Sequence, residues 1–241
     1  MTDPTDVAAR LASLEADNAR LRRLLDVQGM PDGLRHGLRD TVAMLRAVMR
    51  QSAETASDLE DYVIHLDGRL GALLRARTVL DAFGGASLHT LVSDALHLHL
   101  VREGEGAAIA GPRVVLQPKA AQVFALAMHE LASNAIEHGD LAEGRGRVDV
   151  TWAVATGAEA RPASQGDASD APMLRLVWKE TGGSDVSPPG RTGFGTAVLQ
   201  QTLAYELGAE TTLAYEPDGL RCTIRFPLIP RTGSVEGTEA A

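Results

Sequence analysis

The stretch Ala121–Leu141, AQVFALAMHELASNAIEHGDL, constrains the fold of this chain more than any other. Phe124, Met128, Leu131 and Ala135 recur at helical spacing, so it reads as one helix with an apolar stripe turned to a core. Glu130, Asn134 and His138 recur at every fourth residue and rise along a second stripe of the same cylinder. A carboxylate and a carboxamide one turn apart are oxygen donors suited to Mg²⁺ and a water beside a phosphate chain. The same spacing also fits a solvated helix face. Two later stretches, VWKETGG and GRTGFGT, supply what a nucleotide site would otherwise lack.

At 241 residues the chain has room for one large or two modest cores. No apolar run reaches the length of a membrane span and the N-terminus lacks a signal-peptide layout, so the expected location is the cytoplasm, with no membrane partner. A net charge of −9 argues against unaided binding to nucleic acid. Cys222 is the single cysteine, which excludes an internal disulfide and a cysteine metal cluster. His97 and His99 in LHLHL have the spacing of a ligand pair on a strand, with no third ligand nearby.

Val7, Leu11, Leu14, Asn18, Leu21 and Leu25 fall on alternating three- and four-residue steps, a heptad seam with one polar core position. Residues 1–28 are therefore expected to form a helical arm, either a parallel two-stranded coiled coil with Asn18 fixing its register or a helix packed on its own protein. Gly29, Pro31 and Gly33 interrupt it. Residues 34–53 and 59–83 then read as two helices joined by SAETASD, one striped with Leu38, Val42, Leu45 and Met49 and the other with Leu59, Val63, Leu66, Leu70 and Leu73. This hairpin, within residues 29–84, cannot bury both stripes by itself and is expected to pair with a second copy or fold back on the chain. His36 lies about 160° from the apolar stripe at 100° per residue, and so should face water.

Gly84 and Gly85 form a hinge into a mixed region, residues 85–229. Its expected elements are a helix over 88–98, a short strand at 113–116, the long helix above, strands over 147–154 and 174–180, a helix over 196–207 and a hairpin about Pro217-Asp218-Gly219. Residues 156–172 read as an exposed loop, and residues 230–241 as a disordered tail without a core pattern. Three stretches would converge if these elements form an α/β sandwich. Glu180 ends a strand, where a carboxylate can accept from an exocyclic amine such as that of adenine, and Gly182 and Gly183 let a planar base approach the backbone. Gly193 and Gly195 stand before a helix, whose free N–H groups suit phosphate oxygens. Glu130 and Asn134 would provide the magnesium- and water-orienting groups.

In that order, MHELASNAIEHGDL, RLVWKETGG and GFGT resemble the N, G1 and G2 boxes of histidine kinases of the HWE family, with His129, Trp178 and Glu180 at the family's His and Trp-x-Glu positions. The resemblance covers residues 34–228, through LEDYVIHLDGRLGALLRARTVL and PDGLRCTIRFPL. It implies an α+β protein: a two-helix dimerisation and phosphotransfer hairpin after the helical arm, then a GHKL-type α/β sandwich that binds ATP. It implies that Asn134 binds Mg²⁺, that Glu130 orients or deprotonates near the γ-phosphate, that Glu180 with Gly182 reads the adenine, and that Gly193, Gly195 and Thr196 line the phosphates. His36, in His36-Gly37-Leu38-Arg39-Asp40, would be the phosphoacceptor, and a response regulator's aspartate would receive the group next. A homodimer and an upstream sensor protein are the other implied partners. The chain departs from the family with Glu137-His138 where relatives carry Lys-Tyr, and with Gly37 and Asp40 in the acceptor stretch. A degenerate kinase that binds a response regulator without catalysis is the alternative reading, and a simple ATPase a third.

Overall fold

The computed structural model describes residues 15–17, 20, 32–139, 141, 146–156, 171–182 and 193–236, and leaves the side chains of 32–36 and 81–83 undescribed. The Asn18 seam and residues 157–170 of the expected loop lie outside the described residues; positions 15–17 and 20 of the arm are helical. The chain is α+β and divides into two compact units, residues 1–70 and 71–241. Among the described residues no helix is long and apolar enough to cross a membrane.

The first unit holds α1 (Asp32–Thr55) and the start of α2 (Leu59–Phe83). Asp58 caps α2: its Oδ1 accepts the Asp61 N–H at 2.9 Å, while Asp61 Oδ2 accepts the Ser57 N–H at 2.8 Å. Val42 and Val48 are buried, and the Arg69 guanidinium, also buried, donates to Ser52 Oγ at 2.8 Å. That bond fixes the register of the two helices, because a buried charge left without partners would be costly. Val63 and Ile64 remain 50% and 63% exposed, so the apolar face of α2 is not fully covered.

In the second unit the C-terminal part of α2 buries Ala72, Leu73, Ala76 and Leu80. It is followed by β1 (Ala86–Ser87), α3 (Leu88–Leu98), β2 (Ala107–Ala110), β3 (Val114–Leu116), α4 (Pro118–Glu137), β4 (Arg147–Ala155) and β5 (Met173–Thr181). A continuous helical run then passes through α5 (Phe194–Ala197), a π turn (Val198–Thr202) and α6 (Leu203–Leu207) before β6 (Glu210–Glu216), β7 (Gly219–Pro227) and β8 (Gly233–Val235). The main sheet has the order β2-β4-β5-β7-β6, with β2 parallel to β4 and the other pairs antiparallel. Alternation puts Val148, Val150 and Trp152 on one face of β4, where they meet Glu180, Trp178 and Leu176 of β5. Trp178 in turn pairs with Cys222, and Cys222 with Leu213. Phe226 on the same face of β7 lies 6.2 Å from the Phe124 ring, so this is the face that packs on α4.

Several elements differ from the sequence reading, among them β1, the earlier start of the helical run at Phe194 and its π turn. β2 was not expected, since Ala-Ala-Ile-Ala has weak strand propensity; its parallel pairing with β4 makes it a strand. The stretch from Pro230 is not a disordered tail over its described part: β8 pairs with β3, and β1 closes a three-stranded antiparallel sheet. The anchor is Thr232, fully buried, whose hydroxyl donates to the Pro227 carbonyl at 2.6 Å and accepts the Ile229 N–H at 2.9 Å. Residues 237–241 lie outside the described residues.

Helix α3 ends on a strained residue. Val101 N–H bonds the Leu96 carbonyl and Leu100 N–H the His97 carbonyl, a Schellman pattern that puts Leu100 at the left-handed position with φ 60°. A Cβ there costs about 1–2 kcal/mol, and Leu100, 85% exposed, recovers little by packing. Leu100→Gly is therefore expected to stabilise the protein by about 0.5–1 kcal/mol after glycine's own entropy cost, measurable as a melting temperature about 1–4 °C higher.

Candidate functional site

Helix α4 starts cleanly because Gln117 is extended and Pro118 occupies its first turn, where a missing N–H does no harm. Its alanines let neighbours close in, and nearly every position from Ala120 to Ala135 is buried. The polar stripe is thus not a solvated face: Glu130 is only 5% exposed. Asn134 is half-buried, and His138 is the exposed C-cap residue, its N–H bonded to the Asn134 carbonyl. Across from this stripe lies the first turn of α5. A Cβ added to Gly195 would sit 3.2 Å from Glu130 Cβ and Oε2 and 3.3 Å from Asn134 Nδ2. A methyl group there would press on both side chains, which would have to give way by a few tenths of an ångström. Gly193 is the extended N-cap of α5 with open space around it, and Thr196 is half-buried in the first turn. The structure therefore brings Glu130, Asn134 and Gly195 together, with Gly193 and Thr196 on either side of Gly195.

Glu180 lies at the end of β5 on the face that packs on α4, beside Val148. The Trp178 indole N–H donates to its Oε1 at 2.9 Å. Gly219, at φ 146°, backs onto it: a Cβ there would strike the Glu180 carbonyl oxygen. Burial pushes the Glu180 carboxyl up to about 7, against the opposing pull of the Trp178 bond and the Lys179 charge. Burial, with Cys222 and Glu180 adding to it, also raises Tyr215, and burial with Glu180 pushes the Cys222 thiol up to about 12. Gly182 follows in an exposed, left-handed conformation at φ 89°. Lys179 on the opposite face ties the β6–β7 turn to β5 through Glu216 and Asp218, each at 2.6 Å.

The sequence reading weighed His99 only as one of two histidines at strand spacing. The stretch is helical rather than a strand, and His99 is the C-cap residue of α3. Its ring stacks on buried His129 at 5.8 Å and 18°. Burial lowers the His99 pKa, with Arg75 lowering it further and Glu137 opposing. Glu137 accepts from Ser133 Oγ at 2.7 Å and acts on His99. His36 is in the opening turns of α1, with its side chain outside the described residues. His65, the other histidine off its helix's apolar stripe, is paired through Nε2 with Asp61 Oδ1 at 2.9 Å.

Residues 33–113 match the HWE histidine kinase family model. A blue-light-activated histidine kinase of Brucella ovis is 26% identical over 81% of this chain and 38% of its own length. Over residues 33–113 the chain is similar to the HWE histidine kinase family. A Brucella anthropi protein of the same description is 27% identical over 94% of this chain and 43% of its own length. The chain thus spans about two fifths of the length of these curated relatives. The solved histidine kinase domain of a blue-light activated histidine kinase from Erythrobacter litoralis covers 92% of this chain and 96% of that one, with a TM-score of 0.51 at 20% identity. The chain therefore shares the fold of that solved domain.

Proposed function

We propose that this chain is an ATP-dependent protein histidine kinase that phosphorylates itself on His36 and passes the phosphoryl group to an aspartate of a response regulator. The observation that carries the reading is the approach of Gly195 to Glu130 and Asn134, which joins an anion-binding helix start to a carboxylate and a carboxamide. The pairing fits a nucleotide and its metal ion, since the Gly195 contact is a cradle that a Cβ would fill. When bound, ATP supplies the phosphoryl group and Mg²⁺ offsets its charge. Asn134 would hold the metal through its carboxamide oxygen, and Glu130 would orient the reacting groups. Gly193, Gly195 and Thr196 would offer backbone and hydroxyl donors to phosphate oxygens. Glu180, with Gly182 beside it, would read the base. The His36 imidazole would take the phosphoryl group, and the reaction is one of positioning and charge neutralisation. Exposed Val63 and Ile64 support a homodimer through the hairpin, and an upstream sensor protein would deliver the signal.

The reading is tested by nucleotide binding and label transfer together. Wild-type protein is expected to bind a non-hydrolysable ATP analogue in the presence of Mg²⁺ and to retain label from γ-labelled ATP; binding without label would favour a non-catalytic regulator-binding role. Gly195→Ala is expected to weaken the analogue about tenfold, roughly 1.4 kcal/mol, because its methyl group displaces the Glu130 and Asn134 side chains. Calorimetry would check this, and unchanged affinity would detach the loop from the site.

A further inference from the structure

Trp178 is fully buried on the covered face of β5, between Val150 and Cys222 of the flanking strands. Two residues on, Glu180 shares that face, and the indole N–H donates to its Oε1 at 2.9 Å. An indole N–H is a donor and nothing else, and a ring packed inside a core cannot swing away. One carboxylate oxygen is therefore engaged before a ligand arrives, and Oε2 is left to meet it.

Purines differ in what they ask of such a group. A 6-aminopurine offers one exocyclic amine beside a ring-nitrogen acceptor. Guanine offers an adjacent ring N–H and amine, a pair of donors matched to a carboxylate with both oxygens open. We propose that Trp178 is a positioning residue that sets the base specificity of the nucleotide site: by holding Oε1 it fixes the carboxylate so that Oε2 is the oxygen presented to the base, suited to adenine's single amine and mismatched to guanine's paired donors. This rests on the reading of Glu180 as the base-contacting group.

The same bond has a pH signature. Among the described residues, the groups electrostatically coupled to Glu180 are Lys179 on its own strand, Tyr215 on β6 and Cys222 on β7. Lys179 is engaged by Glu216 and Asp218, its pKa raised by those bonds against an opposing burial effect. Burial holds Tyr215 and Cys222 as neutral groups at physiological pH. Glu180 is then the group that titrates close to neutrality, at about 7. Because the indole donor faces Oε1, the incoming proton goes to Oε2 and turns the acceptor into a donor. Affinity for an adenine nucleotide is expected to rise with pH through about 7.

The test measures ADP and GDP binding to the full chain with Mg²⁺ between pH 6 and 9. Trp178→Phe is expected to narrow the preference for ADP over GDP about tenfold, the discrimination of one well-made base contact. It should also move the midpoint of the ADP–pH curve upward, because the bond that favours the carboxylate is gone. Glu180→Gln should weaken ADP and flatten the curve. If Glu180→Gln weakens ADP while folded Trp178→Phe keeps both preference and midpoint, the positioning role is overturned and the base reading stands. If Glu180→Gln binds ADP like wild type, the base reading falls and the proposal with it. Should Trp178→Phe fail to fold, the indole ¹⁵N–H resonance of the wild-type protein decides. It is expected to titrate near pH 7 and to stop titrating in Glu180→Gln, with Trp152, bonded to the Pro112 carbonyl at 2.7 Å, as internal control. A Trp178 resonance indifferent to pH across that range overturns the proposal.

Discussion

Asn134→Ala is expected to slow Mg²⁺-dependent phosphorylation by about 10²-fold or more, the usual cost of removing a group that stabilises charge in the transition state. The loss should be chemical rather than structural. Asn134 is half-buried near the end of α4, alanine is the best helix former, and the backbone bond from His138 to the Asn134 carbonyl survives the change. A Cβ built on Gly195 would lie 3.3 Å from the Asn134 Nδ2, so a smaller side chain here opens space rather than creating a clash. Initial rates of label incorporation beside melting curves would separate the two effects. An unchanged rate would remove Asn134 from the site.

His36→Gln is expected to eliminate incorporation altogether while leaving nucleotide affinity intact. The proposed acceptor belongs to the unit of residues 1–70, and Glu130, Asn134, Glu180 and Gly195 to that of residues 71–241. His65 is the rival, but its Nε2 is engaged by the Asp61 carboxylate at 2.9 Å. The Ser57 N–H, chief among the groups around Asp61, holds that carboxyl below its ordinary range, so it stays ionised and keeps its partner. Only neutral imidazole carries the nucleophilic lone pair, so incorporation should fall as pH drops through the ordinary imidazole range, roughly 6–7. Labelling that persists in His36→Gln and vanishes in His65→Gln would transfer the role to His65.

What was legible in the sequence was what periodicity encodes. The spans of α1, α2 and α3 and the alternation of Val148, Val150 and Trp152 appear in the structure nearly as read, whereas Val63 of the α2 stripe is 50% exposed. Periodicity is silent where tertiary pairing decides. β2 is alanine-rich and becomes a strand by lying beside β4; β8 is three residues anchored by a buried threonine hydroxyl. At the site, the four-residue step from Glu130 to Asn134 was visible, as were Gly193 and Gly195, which the structure puts at the cap and in the first turn of α5 rather than both ahead of it. Their mutual contact was not, because 61 positions separate Asn134 from Gly195 and only the folded chain brings them together. The stack of His99 on His129 escaped for the same reason. The bond from Trp178 to Glu180 was half-legible: alternate residues of a strand share a face, but nothing in the spacing says that an indole N–H will reach a carboxylate.

The chemical stability of the phosphorylated protein tests the central claim most directly. Wild-type chain would be incubated with γ-labelled ATP and Mg²⁺, denatured, and divided between acid and base. A phosphoryl group on an imidazole nitrogen is expected to survive base and be lost in acid, with no such label in His36→Gln. Label that survives acid, or no label in protein that binds the nucleotide normally, would contradict the assignment of this chain as a histidine kinase acting through His36.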